Sequence, residues 1–162
     1  FFYMIYFLFD LDDTLIIHQK GVPINYNMIQ RDDSLSKLLN KCKGECYIYT
    51  NGTGNHALDI IDRLGIKDTM HKIYSRDTIP YMKPDERSFI RVQQDLFSFS
   101  KKEGIIFFFD DLLENLNAAK KLGWITFWIH PDHNSGSNYS FIDLSFSDIK
   151  TCLSYLENKS IN

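Results

Sequence analysis

The sequence predicts a doubly wound α/β fold: a three-layer sandwich with helices on both faces of a mainly parallel sheet of about five strands, and no sizeable cap domain. Three observations predict it. Apolar runs of strand length are continuous rather than alternating, which is what strands buried on both faces require. Segments of helical period separate these runs. The polar residues that end them, Asp10, Thr50 and Asp110, stand where the carboxyl ends of parallel strands gather ligands.

The first strand is read over residues 5–9. The whole apolar stretch of residues 1–9 invites comparison with a targeting segment. It is far shorter than the ~20 residues that span a bilayer, and it lacks the basic lead and trailing small residues of a signal peptide. A helix follows from the stripe Leu35, Leu38, Leu39 and Cys42, then a second strand over residues 46–49. Ala57, Ile60, Ile61 and Leu64 make the next stripe, closed by Gly65, a residue suited to a left-handed helix terminus. A weak strand is read at residues 72–74. Phe89, Val92 and Leu96 mark a helix with Pro84 in its first turn, and residues 105–109 the fourth strand. Leu112, Leu116 and Ala119 form a further stripe ending at Gly123, ahead of a fifth strand at residues 125–129. A polar loop, residues 132–140, leads to a last amphipathic helix carrying Ile149, Cys152, Leu153 and Leu156.

The bulk properties narrow the function. A length of 162 residues suits one domain, read here as residues 1–162, with a single sizeable core. A net charge of −3 without a long basic block gives no clear nucleic-acid-binding surface. No membrane association is expected. Cys42, Cys46 and Cys152 are odd in number and form no CxxC pair, so neither a disulfide framework nor a zinc site is expected, and a reducing, cytoplasmic setting fits. Cys42 and Cys152 fall on apolar helical faces and read as core residues. His130 and His133 have no third ligand of suitable type nearby, and His56 reads as a surface residue of a first helical turn.

The strand ends carry coherent chemistry. Asp10-Leu11-Asp12-Asp13-Thr14 follows the first strand, Thr50-Asn51-Gly52 the second and Asp110-Asp111 the fourth, with Lys83 after the third. Clustered carboxylates repel one another unless a cation neutralises them, and an all-oxygen set suits Mg²⁺, which leaves room for a phosphate. One aspartate can then attack phosphorus, a second can move the proton of the leaving oxygen, and Lys with Thr can hold the phosphoryl oxygens.

These motifs, in this order, resemble the haloacid dehalogenase superfamily of aspartate-nucleophile phosphohydrolases, a Rossmann-like fold. Phe7-Leu8-Phe9-Asp10-Leu11-Asp12-Asp13-Thr14 is similar to its strand followed by DxDxT, and Tyr47-Ile48-Tyr49-Thr50 to its strand followed by Thr or Ser. Lys83-Pro84-Asp85 and Phe107-Phe108-Phe109-Asp110-Asp111 complete the set. The resemblance implies that Asp10 is nucleophile and metal ligand. It implies that Asp12 is the acid/base and lends its backbone carbonyl to Mg²⁺, with Asp111 a direct metal ligand and Asp110 a partner outside direct coordination. Thr50 and Lys83 would bind the phosphoryl group, with Asn51 adding a backbone donor. Leu112 departs from the small residue that relatives often carry there.

The segment from Tyr49 to Ala57, continuing to Leu64-Gly65-Ile66, looks most like the pyrimidine 5'-nucleotidase branch. Those relatives carry a helical cap for which residues 14–50 leave no room, nor do residues 50–83. The expectation is therefore an open-site Mg²⁺-dependent phosphomonoester hydrolase acting through an aspartyl-phosphate, on nucleotides or other small phosphate esters. The alternatives are a phosphorylated protein or nucleic-acid end as substrate, or a catalytically silent interaction module; a homo-oligomer stays open. A phospho-acceptor receiver domain is disfavoured, because its paired acids would come first rather than last.

Overall fold

The computed structural model describes residues 3–159. Phe1 and Phe2 of the apolar opening stretch therefore lie outside the described residues. Eleven elements organise the rest: β1 Met4–Phe9, α1 Asp33–Asn40, β2 Glu45–Tyr49, α2 Gly54–Leu64, β3 Met70–Tyr74, α3 Glu86–Ser100, β4 Gly104–Asp110, α4 Leu113–Lys121, β5 Ile125–Ile129, β6 Leu144–Phe146 and α5 Ile149–Lys159. All strand pairs are parallel, in the order β3-β2-β1-β4-β5-β6. The chain thus winds outward from β1 in one direction and then from β4 in the other, the doubly wound arrangement expected.

Period-two alternation sorts the strand residues between the two faces. Phe7 and Phe9 of β1 pack with Leu35 and Leu39 of α1, Ile60 and Leu64 of α2, and Cys152 and Leu153 of α5. Tyr6 and Leu8 point the other way, into a core with Phe89, Val92 and Leu96 of α3 and Leu116 and Ala119 of α4. Burial on both faces is why these strands read as unbroken apolar runs. Across the first face, the rings of Phe9, Phe109 and Phe127 stack in series with centroids 4.6 Å apart at each step. Such pairs add about 0.5–1.5 kcal/mol each beyond their burial. They also tie β1, β4 and β5 together at the level of Phe9 and Phe109, one residue before Asp10 and Asp110.

Close approach at the opposite edge accounts for two glycines. A Cβ on Gly44 would lie 2.1 Å from the Ile5 carbonyl oxygen, and one on Gly104 2.2 Å from that of Met4. Any side chain there would push β2 or β4 away from β1.

The structure departs from the sequence reading at four places. A sixth strand, β6, follows the polar loop, and it is only three residues long with Leu144 exposed, so it leaves no apolar run to read. The loop itself holds a 3-10 segment, His133–Asn138, tied down by Ser145 Oγ donating to the His133 carbonyl at 2.7 Å. Pro84 lies ahead of α3 rather than in its first turn, and Asp85 caps the helix by accepting from the Arg87 amide. Leu112 is not on the buried stripe of α4 but is its exposed N-cap. Among the described residues no helix is long and apolar enough to cross a membrane.

Candidate active site

Asp10 and Asp110 are brought together by strand register. Phe9 pairs with Phe109, and the Asp10 amide donates to the Phe109 carbonyl at 2.9 Å. After β1 the chain turns sharply: the Leu11 carbonyl accepts from the amides of Leu15 and Ile16 at 3.0 and 3.2 Å. Asp13 takes the left-handed conformation (φ 62°) that this turn needs, which aspartate tolerates better than most side chains. Thr14, fully buried, donates its hydroxyl to Asp10 Oδ2 at 3.1 Å.

Lys83 enters from the loop after β3 and its ammonium is almost fully buried. It donates to Asp10 Oδ1 at 3.0 Å, Asp110 Oδ2 at 3.0 Å and the Tyr49 carbonyl at 2.8 Å. Burial alone would lower its pKa, but the facing carboxylates of Asp10 and Asp110 outweigh this and hold it above the ordinary lysine range. Asn51 places this loop: its Nδ2 donates to the Lys83 carbonyl at 3.0 Å and its Oδ1 accepts the Lys83 amide at 2.8 Å. The Asn51 side chain is thus a clamp on Lys83. Thr50 is buried beside it, its hydroxyl oxygen accepting from the Gly52 amide at 3.1 Å.

The acidic pair divides by environment. Asp110 is fully buried and takes the Leu112 amide at 2.9 Å on Oδ1, with Lys83 and Asn115 Nδ2 on Oδ2. Asp111 is only partly buried. Carboxylate oxygens of Asp10, Asp110 and Asp111 lie within 4.8 Å of one another. Burial, then the charges of Asp110 and Asp10, push the Asp111 carboxyl up to about 8; burial and Asp110 raise Asp10 to about 6 despite Lys83. One ammonium does not compensate three carboxylates, and this all-oxygen set fits a hard divalent cation.

Asp12 stands apart from that trio. Its Oδ1 lies 2.9 Å from His18 Nε2 and accepts from the Tyr26 hydroxyl at 3.2 Å, while its Oδ2 is 3.7 Å from His56 Nε2. His18 and Tyr26 escaped the sequence reading, because the segment between β1 and α1 has no periodicity to place them. His56 lies in the first turn of α2 as expected, but faces Asp12. His130 stacks on Trp128 with centroids 4.9 Å apart, outside the acidic group.

A family model described as haloacid dehalogenase-like hydrolase matches residues 25–129. The chain belongs to that family. The matched span begins after the Asp10 to Thr14 turn, so that motif rests on the structure and its own residues. No curated protein matches the sequence. Solved structures do. The L-2-haloacid dehalogenase from Xanthobacter autotrophicus with chloropropionic acid covalently bound superposes with a TM-score of 0.61 at 14% identity, over 85% of this chain and 63% of that one. The core domain of a Streptococcus pneumoniae TIGR4 protein provisionally described as a phosphoglycolate phosphatase gives 0.64 at 16% identity, over 95% and 96%. YfnB from Bacillus subtilis, provisionally described as a hydrolase of the same superfamily and bound to magnesium, gives 0.62 at 19%, over 78% and 56%. The chain therefore spans less than two thirds of the dehalogenase's length but nearly all of the pneumococcal core domain. At these identities the likeness concerns the fold.

Proposed function

We propose that the chain is a Mg²⁺-dependent phosphomonoester hydrolase in which Asp10 is the nucleophile. The observation that carries this is the cluster of Asp10, Asp110 and Asp111, in which the buried Lys83 ammonium is shared by Asp10 and Asp110. Asp10 and Asp111, with the backbone carbonyl of Asp12, would hold the metal, and Asp110 would orient Lys83. When bound, Mg²⁺ neutralises these acids and draws charge from the phosphoryl oxygens. Asp10 attacks phosphorus, the ester bond breaks, and Asp12 gives its proton to the leaving oxygen. Asp12 then takes a proton from the water that displaces Asp10 from the aspartyl-phosphate. Thr50, Lys83 and a backbone amide at Asn51 bind the phosphoryl oxygens.

Dehalogenation, the activity named for one structural relative, is the less fitting reading. A halide departs without a proton, which would leave the acid half of the Asp12 role unused. Between β1 and β2 only a 3-10 turn, Tyr26–Met28, and α1 are present, and between β2 and β3 only α2 and a second 3-10 turn, Lys67–Thr69. Among the described residues no cap covers the site, so a phosphate carried by a protein or a nucleic-acid end is the second reading beside nucleotides and small esters.

The test is hydrolysis of a panel of nucleoside monophosphates, sugar phosphates, phosphopeptides and 3'-phosphorylated oligonucleotides with Mg²⁺. Asp10→Asn and chelation should each abolish turnover, at least 10³-fold for loss of the nucleophile. Full activity in the Asn variant would overturn the assignment.

A further inference from the structure

We propose that His18 and Tyr26 are positioning residues that fix the carboxyl group of Asp12 so that its Oδ2, and not Oδ1, passes the proton to the leaving oxygen. This rests on the phosphohydrolase reading. A carboxylic acid carries one proton, and the oxygen that accepts hydrogen bonds is the one that does not bear it. Asp12 Oδ1 accepts from the Tyr26 hydroxyl at 3.2 Å and stands 2.9 Å from His18 Nε2, which occupies both of its lone pairs when that nitrogen carries its proton. Oδ2 has only His56 Nε2 at 3.7 Å, beyond hydrogen-bonding distance, and stays available. About a third of the Asp12 side chain is exposed, so the contacts with Tyr26 and His18 are what the structure shows holding its carboxyl group.

The two donors are themselves held. The His18 amide donates to Asp13 Oδ1 at 2.9 Å, locking the residue to the left-handed turn. The Tyr26 ring meets His56 edge-on, with centroids 4.6 Å apart. One residue further, Arg63 of α2 donates from Nη1 to the Asn27 carbonyl and from Nη2 to Asn27 Oδ1, both at 3.2 Å. The segment that carries Tyr26 is therefore fastened to α2, and α2 is joined to β2 by the short turn that carries Thr50 and Asn51.

In the first half-reaction the bond from phosphorus to the ester oxygen breaks, its electron pair stays on that oxygen, and the proton on Oδ2 moves to it. In the second, Oδ2 takes a proton from water as the water oxygen bonds to phosphorus and the Asp10 carboxylate leaves with its pair. Orientation of Oδ2 matters in proportion to the basicity of the leaving oxygen. An alkoxide needs the proton; a nitrophenolate leaves well without it.

The experiment compares kcat/KM for an alkyl phosphate and a dinitrophenyl phosphate in the wild type, the His18→Ala/Tyr26→Phe double variant and His18→Gln. Phenylalanine keeps the ring against His56, and circular dichroism and melting temperature report folding. The alkyl-to-aryl ratio should fall about 100-fold in the double variant, the scale of general-acid assistance. Glutamine, which keeps a donor at position 18, should hold the ratio near the wild-type value. An unchanged ratio in the double variant, with an active wild type, overturns the positioning role alone. A wild type inactive on both esters overturns the phosphohydrolase reading, and this inference with it.

Discussion

Replacing Lys83 by Met isolates what its buried ammonium contributes, because the methionine keeps an unbranched apolar stem beside the rings of Tyr49 and Phe108, over which Nζ lies at 4.8 and 5.6 Å. Three hydrogen bonds are lost, to Asp10, Asp110 and the Tyr49 carbonyl. Breaking a buried ion pair from one side costs about 3–5 kcal/mol, and an orphaned buried carbonyl about 1–3 kcal/mol. Asp10 limits the total by taking up a proton, which its carboxyl, already raised to about 6 by burial and Asp110, does readily. The expected loss in metal-free protein is about 4 kcal/mol at pH 7.5, or about 12 °C in Tm for a chain of this size, and distinctly less at pH 5. Urea and thermal unfolding at both pH values in chelator measure it. A loss under about 1 kcal/mol, or one equal at the two pH values, would refute the reasoning, since it would mean that the ammonium is not what offsets the burial of the Asp10 carboxylate.

Two further outcomes follow from the same geometry. Asp10 and Asp111 have folded pKa values raised above the unfolded 3.8, to about 6 and about 8. Their folded state binds protons more tightly, so the stability they contribute is complete below pH ~4 and is lost as pH rises to 8. For the buried Asp10 the change is on the order of 3 kcal/mol. Acids held below their usual range by partners, such as Asp95 beside Lys72 and Tyr74, act in the opposite sense, below pH ~4, outside this window. Metal-free protein should therefore melt lower at pH 8 than at pH 5, with Mg²⁺ closing the gap; a Tm that rises across that interval in chelator contradicts the cluster. Leu112→Ser tests the departure at that position. The Asp110 carboxylate is already held by the backbone amide of residue 112, and Leu112 caps α4 without any side-chain hydrogen bond, so serine should stabilise by about 0.5–1 kcal/mol in urea unfolding. A loss instead would show that the leucine side chain packs in a way its exposure does not reveal.

The fold was legible where burial on both faces wrote itself into the chain. Residues 5–9, 46–49, 105–109 and 125–129 are continuous apolar runs because α1, α2 and α5 cover one face of the sheet and α3 and α4 the other. The helices announced themselves by stripe, and Gly65 by its left-handed terminus (φ 79°). What stayed hidden lies at edges. The pairing of β6 is made by backbone hydrogen bonds, such as His130 to the Phe146 carbonyl at 3.0 Å, and such bonds carry no side-chain signature. Leu112 fitted the helical period, yet a residue one position ahead of a helix has the same spacing as one inside it.

The candidate site divides along the same line. Asp10, Thr50, Asp110 and Asp111 were legible because each follows or ends a strand, and a parallel sheet with β1 between β2 and β4 turns strand ends into neighbours. Lys83 belongs to a loop, but its charge is the complement the acids require. The side chains around Asp12 obey neither rule. His18 and Tyr26 lie 6 and 14 residues beyond it in irregular chain, and their contacts depend on a left-handed residue at Asp13 and on a clasp from Arg63 to Asn27. Both are features of the folded backbone rather than of any repeat in sequence. The same holds for Asn51, whose side chain grips the Lys83 backbone from both sides and so places the cation that separates Asp10 from Asp110. Residue type revealed what could react, while the orientation of each reacting group is imposed by neighbours that regular structure does not supply.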